Sequence, residues 1–201
     1  MKKLLLTLLS VALFSTAFSQ TVETIRKDYS EAMEHAKLMN DPEYPPTNRF
    51  QVTCEQMMPG SGPHKVSYTF YYHEGYDEED EEPNINGYLD RSIWYVKHSY
   101  NWAARDFYEE YLYDDKGNIE FIYARAVDDD DFSLIFEYRF YFNAKGVIKV
   151  IVKRKKEGES TFTQEYSGAT VTSKYQKAYD QYKRTSEGMK TLFKTVDGYA
   201  D

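Results

Sequence analysis

Two runs of carboxylates are the residues whose type most directly suggests chemistry, because aspartate and glutamate oxygens are the ligands that calcium prefers. They occupy residues 77–82 and 128–131. An EF-hand loop needs ligands at alternate positions, a central glycine and a distal glutamate, and neither run has that spacing. Both runs are therefore predicted to be solvated loops that also discourage pairing between sheet edges, and no metal site is predicted.

Histidine, serine and cysteine show no stronger pattern. His35, His64, His73 and His98 do not include two residues at ligand spacing with a third donor. No Gly-x-Ser-x-Gly turn presents a nucleophilic serine. Cys54 is the only cysteine, and its alternating apolar neighbourhood predicts a small buried hydrophobe rather than a thiol that pairs with another chain. These residues predict no catalytic site and no cofactor.

The adjacent carboxylates Glu109 and Glu110 invite comparison with a glycosidase, which uses two carboxyl groups that flank one bond. Neighbouring side chains on a strand point to opposite faces of the sheet, so these two cannot act on one bond. We expect Glu109 to tip outward near a strand end and Glu110 to face the solvent. Neither residue is predicted to be catalytic.

Aromatic residues are the remaining candidates for a binding site, since the chain has 20 Tyr, 12 Phe and 2 Trp. Tyrosine, tryptophan and arginine concentrate binding energy at interfaces because they bury much area and keep a polar group. We predict a hypothetical binding surface from four residues, namely Trp102 at its rim and Tyr108, Arg139 and Tyr141 on one sheet face. Two alternatives remain open: Trp102 folds back over the core, or Arg139 merely pairs with Glu120.

Hydrophobic periodicity predicts the elements that position these residues. Apolar residues recur at helical spacing over residues 21–40 and again over 173–197, which predicts a helix near each end of the chain. Aromatic and β-branched runs between them predict strands. The runs cover residues 50–57, 65–73, 92–100, 107–113, 118–125, 132–142 and 147–153, with a weaker one at 160–166.

An internal repeat predicts how some of these strands pair. Residues 111–122 align with residues 140–151, and each copy is an aromatic strand, a polar turn ending in Lys-Gly, and an apolar strand. Gly117 and Gly146 are predicted to take the left-handed conformation at the end of a three-residue loop. The resulting register pairs Phe142 with Ile148, Phe140 with Val150, Tyr138 with Val152, Glu137 with Lys153, Tyr113 with Ile119, and Tyr111 with Phe121.

This register makes one face of the sheet apolar and leaves the other mixed and solvated. An apolar sheet face needs a cover, and the two helices are the available material. The predicted fold is α+β: an antiparallel six- to seven-stranded meander with an N-terminal and a C-terminal helix covering one face. A sheet curled into a partial barrel remains an alternative. The repeat resembles those of many exported bacterial proteins over about the central third of the chain, and the resemblance implies no activity.

The N-terminal segment has the features of a secretory signal peptide. Lys2 and Lys3 precede an apolar run over residues 4–14, which is too short to span a membrane. Ala17 and Ser19 stand three and one positions before a predicted cleavage site between Ser19 and Gln20. We therefore predict a signal peptide at residues 1–19 and a single α+β domain at 20–201, periplasmic or secreted, with no lipid anchor.

Charge and composition narrow the function to a few classes. The net charge of −8 argues against a nucleic-acid partner, because neutralising phosphates requires clustered Lys and Arg. The best-fitting prediction is an exported, soluble, non-enzymatic module of the bacterial cell envelope or secreted fraction, with an unknown protein or polysaccharide partner. A small hydrolase acting on envelope or environmental polymers, and a structural module of an extracytoplasmic assembly, are the alternatives. The oligomeric state does not follow from the sequence.

Overall fold

The computed structural model describes residues 20–41, 43, 48–75 and 90–197. The signal peptide predicted at residues 1–19 and the acidic run at 77–82 lie outside these residues. In chain order the elements are α1 (Val22–Leu38), β1 (Arg49–Met58), β2 (Gly62–Gly75), β3 (Asp90–Trp102), β4 (Arg105–Tyr113), β5 (Ile119–Val127), β6 (Leu134–Asn143), β7 (Gly146–Lys156), β8 (Thr163–Gly168), a 3₁₀ turn (Ser173–Tyr175) and α2 (Gln176–Asp197).

The eight strands form one antiparallel sheet in which each strand pairs with the next along the chain. The predicted α+β meander is confirmed. The predicted count of six to seven strands is too low, because the weak run near residue 160 does form a strand, β8, which pairs with β7. Among the described strands, β1 and β8 do not pair with each other, so the sheet is open and not a barrel.

The repeat predicted most of the register of two hairpins. Four of the six predicted cross-strand pairs are confirmed, namely Glu137–Lys153, Tyr138–Val152, Phe140–Val150 and Tyr113–Ile119. Gly117 and Gly146 have the predicted positive φ. The other two pairs are wrong: Phe142 lies opposite Val147, and Tyr111 lies opposite Ile122. A β-bulge beside each turn inserts one residue into one strand and shifts the pairing by one position.

Both faces of the sheet are partly buried, because the helices pack on opposite sides. α2 packs on a cluster that includes Phe70, Val96, Tyr111, Phe140 and Val150. α1 packs on the other face, against a cluster that includes Tyr71, Trp94, Tyr95, Leu112, Phe121 and Tyr141. The prediction that both helices cover one face is therefore wrong. The cluster beneath α1 occupies only one end of its face, and polar residues occupy the rest. The sequence pattern of this face therefore resembles that of a mixed, solvated surface.

α1 is capped at its N-terminus and packs through small residues, whereas α2 packs through a stripe of mostly large side chains. Thr21 and Thr24 cap α1 reciprocally, since each side-chain oxygen accepts the backbone N–H of the other residue. Ala32 and Ala36 are buried and let α1 approach the sheet closely. Along α2 a helical stripe is buried, consisting of Tyr182, Ser186, Met189 and Phe193. Neither described helix combines the length and the apolar composition that a membrane-spanning helix requires.

Cys54 lies on the edge strand β1 and is exposed, so its predicted burial is wrong. Phe50 and Val52 on the same strand do pack against the core under α2. Cys54 continues their alternation but lies farther along the strand, where no helix covers this edge of the sheet. The alternation in the sequence correctly placed Cys54 on the face that α2 covers. Cys54 is exposed because α2 does not extend over this part of the face.

Candidate functional site

α1 covers only one half of its face of the sheet. Its contacts extend to Tyr141 through Arg26 and to Glu110 through Tyr29. Beyond Glu110, toward the β1–β2 and β3–β4 turns, the residues on this side are mostly half-buried or exposed. We call this surface the open face and define it by Gln51, Thr53, Ser67, Thr69, Lys97, Ser99, Tyr108, Tyr123, Arg125, Arg139 and Lys153.

Glu110 is a buried carboxylate at the border of the open face, with 4% of its surface exposed, so the expectation that it faces the solvent is wrong. It accepts hydrogen bonds from the hydroxyls of Tyr29 and Tyr108. Burial, and secondarily the charge of Glu110, raises the pKa of the Tyr108 hydroxyl well above its usual range, so this hydroxyl remains a donor. The carboxylate is thus satisfied inside the protein and presents little negative charge to a ligand.

Glu137 is the second carboxylate of this face and is 7% exposed. Its Oε1 lies 2.8 Å from the Arg139 guanidinium and 3.8 Å from the Lys153 ammonium, and its Oε2 accepts the Tyr123 hydroxyl at 3.3 Å. The Arg139 guanidinium also lies 5.8 Å from the centre of the Tyr123 ring. Arg139 therefore pairs with Glu137 and not with Glu120, the partner that the sequence suggested.

Two cations of the open face have no ion pair among the described residues. Arg125 is exposed and has no described carboxylate within 4.0 Å. The Lys97 ammonium lies 5.6 Å from the centre of the Tyr95 ring and 5.8 Å from that of Tyr71. A shallow cleft of about 460 Å³ lies beside Arg125 and is also lined by Lys65, Ser67, Ser99 and Tyr108. Cations, hydroxyl groups and the exposed Asp106 carboxylate thus reach the surface here, while Glu110 and Glu137 stay buried.

The structure brings together only part of the predicted binding surface. Tyr108 and Arg139 both lie on the open face and are half-buried. Tyr141 shares their side of the sheet but is 2% exposed beneath α1. Trp102 alternates with His98 and so faces the α2 side, where it is 49% exposed and meets the His64 ring edge-on at 5.5 Å. Trp102 therefore does not form the rim of the open face.

A second polar cluster lies on the α2 side of the sheet, the face that the sequence predicted to be apolar. His98 and Glu109 are cross-strand neighbours, and 7% and 2% of their surfaces are exposed. His98 Nδ1 lies 2.8 Å from a Glu109 oxygen, which also accepts the Tyr111 hydroxyl at 2.5 Å. The expectation that Glu109 tips outward is therefore wrong. His98 Nε2 is buried and has no hydrogen-bond partner in the described part of the chain.

Aromatic rings limit access to this cluster. The His98 ring stacks on Tyr68 at 4.5 Å and on Tyr100 at 4.8 Å, and Tyr100 stacks on Phe107 at 4.8 Å. A cavity of about 220 Å³ lies between the rings of Tyr100 and Phe107, the start of α2 and the loop after β5. Asp129 in that loop pairs with Lys177 of α2 at 2.8 Å. The cavity therefore reaches Tyr100 and Phe107 but is not lined by His98.

The run at residues 128–131 forms a hydrogen-bonded turn, not a cage for an ion. One Asp128 oxygen accepts the backbone N–H groups of Asp130 and Asp131, at 3.0 and 2.7 Å. Over the described residues, no three side chains of His, Cys, Asp or Glu converge as metal ligands.

An acidic cleft of about 660 Å³ separates α1 from the turn between β4 and β5. Glu120 lies in it, 7% exposed, and accepts a hydrogen bond from the Gln20 side-chain amide. Burial, with the nearby charges of Asp28, Asp114 and Asp115, raises the pKa of Glu120 to about 7. On one wall of the cleft, Trp94 lies between His35 and His73, with ring centres 5.3 and 5.5 Å away. The cleft concentrates negative charge, in contrast to the open face.

The contact between His98 and Glu109 was missed, although the sequence contained a signal for it. The strands predicted at residues 92–100 and 107–113 are joined by a loop centred between Ala103 and Ala104. A hairpin with that centre places His98 opposite Glu109, and both side chains must then share a face. Comparisons of the chain with protein-family models, curated proteins and solved structures give no significant match.

Proposed function

We propose that this protein is an exported, non-enzymatic module that binds a partner on the open face. One observation carries the proposal: Lys97 and Arg125 on the open face have no ion-pair partner among the described residues, while the neighbouring carboxylates Glu110 and Glu137 are buried and hydrogen-bonded. Asp106 is exposed beside Arg125, but the two buried acids are neutralised internally, so an excess of cations remains for an external acceptor. The signal-peptide pattern of residues 1–19 supports the export part of the proposal.

The shape of the open face supports binding more than catalysis. It is a shallow sheet surface, whereas enzyme sites are usually concave and exclude water. Tyr108, Tyr123 and Arg139 are held by hydrogen bonds or ion pairs to the two buried carboxylates. Side chains that are already ordered lose less conformational entropy when a partner binds. The open face is thus a preorganised polar surface without a reacting group.

The test is capture of native envelope components by a surface variant. Lys97→Ala combined with Arg125→Ala removes the two open-face cations that have no ion pair in the described part of the chain. Lys27→Ala combined with Arg184→Ala removes two exposed cations from the helices as a matched control. Both variants should keep the circular dichroism spectrum of the wild type. We expect the open-face variant to lose the partners that the wild type and the control retain. Undiminished capture by a folded open-face variant would refute the proposal.

A second candidate function is hydrolysis with His98 as a general base. The observation that favours it is the His98–Glu109 pair, because a carboxylate that holds one imidazole nitrogen leaves the other free to accept a proton. The stacked rings of Tyr68 and Tyr100 oppose it, since a substrate must displace them to reach Nε2. Assays of the wild type and His98→Gln on polysaccharide and ester substrates test this candidate. Turnover by the wild type that His98→Gln loses would support hydrolysis, and absence of turnover in both proteins would support the binding function.

A further inference from the structure

We infer that the open face binds an acidic polysaccharide, a polymer of the uronate type whose carboxylates pair with the cations of β3, β5, β6 and β7. The inference rests on the proposed function and adds the chemical class of the partner. Charge carries the first step. Lys97, Arg125, Arg139 and Lys153 lie on this face, and all four are half-buried or exposed. Glu137 already pairs with Arg139 and Lys153. The exposed Asp106 lies beside Arg125, so the excess of cations on this face is small but positive. In a chain of net charge −8, a local excess of cations marks one surface as a place for an anion.

The spacing of these cations favours an extended polymer over a small ion. Lys97 stands on β3 and Lys153 on β7, with β4, β5 and β6 between them. Neighbouring strands lie about 4.8 Å apart, so the cations span roughly 19 Å across the sheet. Arg125 and Arg139 stand between the two ends, on β5 and β6. A chain that crosses the strands therefore meets a cation on four of these five strands, whereas a single anion meets one or two.

The neutral groups of the open face suit a sugar. Ser67, Thr69, Ser99 and the side chains of Gln51 and Thr53 provide hydroxyl and amide groups on β1, β2 and β3. The Gln51 amide donates to the Ser67 hydroxyl at 2.9 Å, which leaves further donor and acceptor capacity on both groups. Such groups can exchange hydrogen bonds with the hydroxyls of a polysaccharide. Cations on one part of the face and hydroxyl partners on the other match a polymer that carries both carboxylates and hydroxyls.

Tyrosine rings at the centre complete the surface. Tyr108 and Tyr123 meet edge-to-face, with ring centres 6.2 Å apart. Burial, with the charge of Glu137 nearby, raises the pKa of Tyr123 to about 12, so its hydroxyl stays uncharged and does not repel an anion. Tyrosines offer an apolar ring and a polar tip to the same ligand. A sugar ring has both kinds of surface.

Other macromolecules fit the open face less well. Interfaces between proteins centre on large apolar side chains, and the only exposed large hydrophobic residue on this side of the described strands is Met57, at the corner beside the β1–β2 turn. Nucleic acid carries a dense row of phosphates, which a net charge of −8 repels. A polyuronate has a lower charge density and more hydroxyls. The open face therefore favours the polysaccharide.

Binding of the full exported chain to polygalacturonate tests the inference. The test variant combines Lys97→Gln with Arg125→Gln, and the matched control combines Lys27→Gln with Lys177→Gln, which lie on the solvent sides of α1 and α2. We expect the wild type and the control to bind polygalacturonate equally and less tightly as salt increases. The test variant should bind about fivefold to tenfold more weakly, as two solvent-screened charge contacts predict. Neutral dextran should not bind.

Several outcomes overturn the inference. No binding of polygalacturonate, equal binding of dextran, or equal loss in both variants would each reject it. Stronger binding of polyglutamate would indicate an acidic protein, and stronger binding of anionic phospholipid vesicles would indicate a membrane surface. The outcomes that reject the polysaccharide can be distinguished from those that reject the proposed function. If envelope capture depends on the open face while polygalacturonate does not bind, only the polymer class is wrong; if envelope capture does not depend on it, the binding face itself is wrong.

Discussion

Glu109 and Glu110 are adjacent in the chain, yet each is a buried hydrogen-bond acceptor at the centre of a separate tyrosine cluster on opposite faces of the sheet. Glu109 accepts the Tyr111 and Tyr100 hydroxyls on the α2 side. Glu110 accepts the Tyr29 and Tyr108 hydroxyls on the α1 side. Because β4 lies inside the sheet, its alternation carries one carboxylate into each layer. One cluster contains the only buried histidine of the described residues, and the other borders the open face.

The first prediction concerns the two-sided core. Phe140→Ala and Tyr141→Ala should each cost about 3–5 kcal/mol of unfolding free energy, because each removes a ring that is 0% or 2% exposed. The sequence pattern placed Tyr141 on the mixed, solvated face, where the loss would be much smaller. Met57→Ala, at a side chain that is 73% exposed, is the control and should change stability by less than about 0.5 kcal/mol. A denaturant titration in which Tyr141→Ala behaves like the control would show that α1 does not cover this residue.

The second prediction concerns Glu109. Glu109→Leu should destabilise the fold by on the order of 1–3 kcal/mol, because it leaves His98 and the Tyr111 hydroxyl buried without their acceptor. Glu55→Leu on β1 is the control, since its pairing with Lys65 is exposed to solvent. Thermal and denaturant unfolding of both variants provide the measurement. Equal stabilities would mean that the Glu109 cluster contributes nothing to folding.

The third prediction concerns pH. Burial raises the folded-state pKa of Glu120 from 4.5 to about 7, so the folded protein holds this proton more tightly than the unfolded chain does. Below pH 4.5 both states are protonated and nothing is lost. As pH rises from about 4.5 to about 7, the unfolded state releases the proton first, and Glu120 lowers stability by on the order of 1–3 kcal/mol.

Glu120→Gln should remove this contribution. The difference in unfolding free energy between Glu120→Gln and the wild type should therefore grow from pH 5 to pH 8. Asp131→Asn, in an exposed turn, is the control variant. A Glu120→Gln protein whose pH profile runs parallel to that of the wild type would show that Glu120 titrates near its ordinary pKa.

The fourth prediction concerns processing. Export of the full chain should remove residues 1–19 by cleavage between Ser19 and Gln20, because Ala17 and Ser19 provide the small side chains that the signal peptidase requires. Intact-mass analysis of the exported protein should give the mass of residues 20–201, or that mass less ammonia if Gln20 cyclises. Ala17→Lys should leave the chain uncleaved. An exported wild-type protein that retains residues 1–19 would contradict the prediction.

The sequence predicts those features of the structure that depend on residues close together in the chain better than those that depend on distant residues. The helices, seven of the strands and four of six tested cross-strand pairs followed from periodicity and from the Lys-Gly turns, because these are set by residues close together in the chain. The two wrong pairs differ by a bulge of one residue, which local backbone geometry selects and the repeat does not encode.

The open face and the His98–Glu109 cluster also depend partly on local pattern and partly on long-range packing. Alternation along the strands by itself placed Tyr108 and Arg139 on one side of the sheet, and separated Glu109 from Glu110. Only the tertiary structure decided that α1 buries Tyr141, that Glu110 and Glu137 are enclosed while Arg125 stays exposed, and that His98 meets Glu109. Those outcomes depend on which face each helix covers and how far along it the helix reaches. That choice is made by packing between segments distant in the chain, and strand periodicity does not report it.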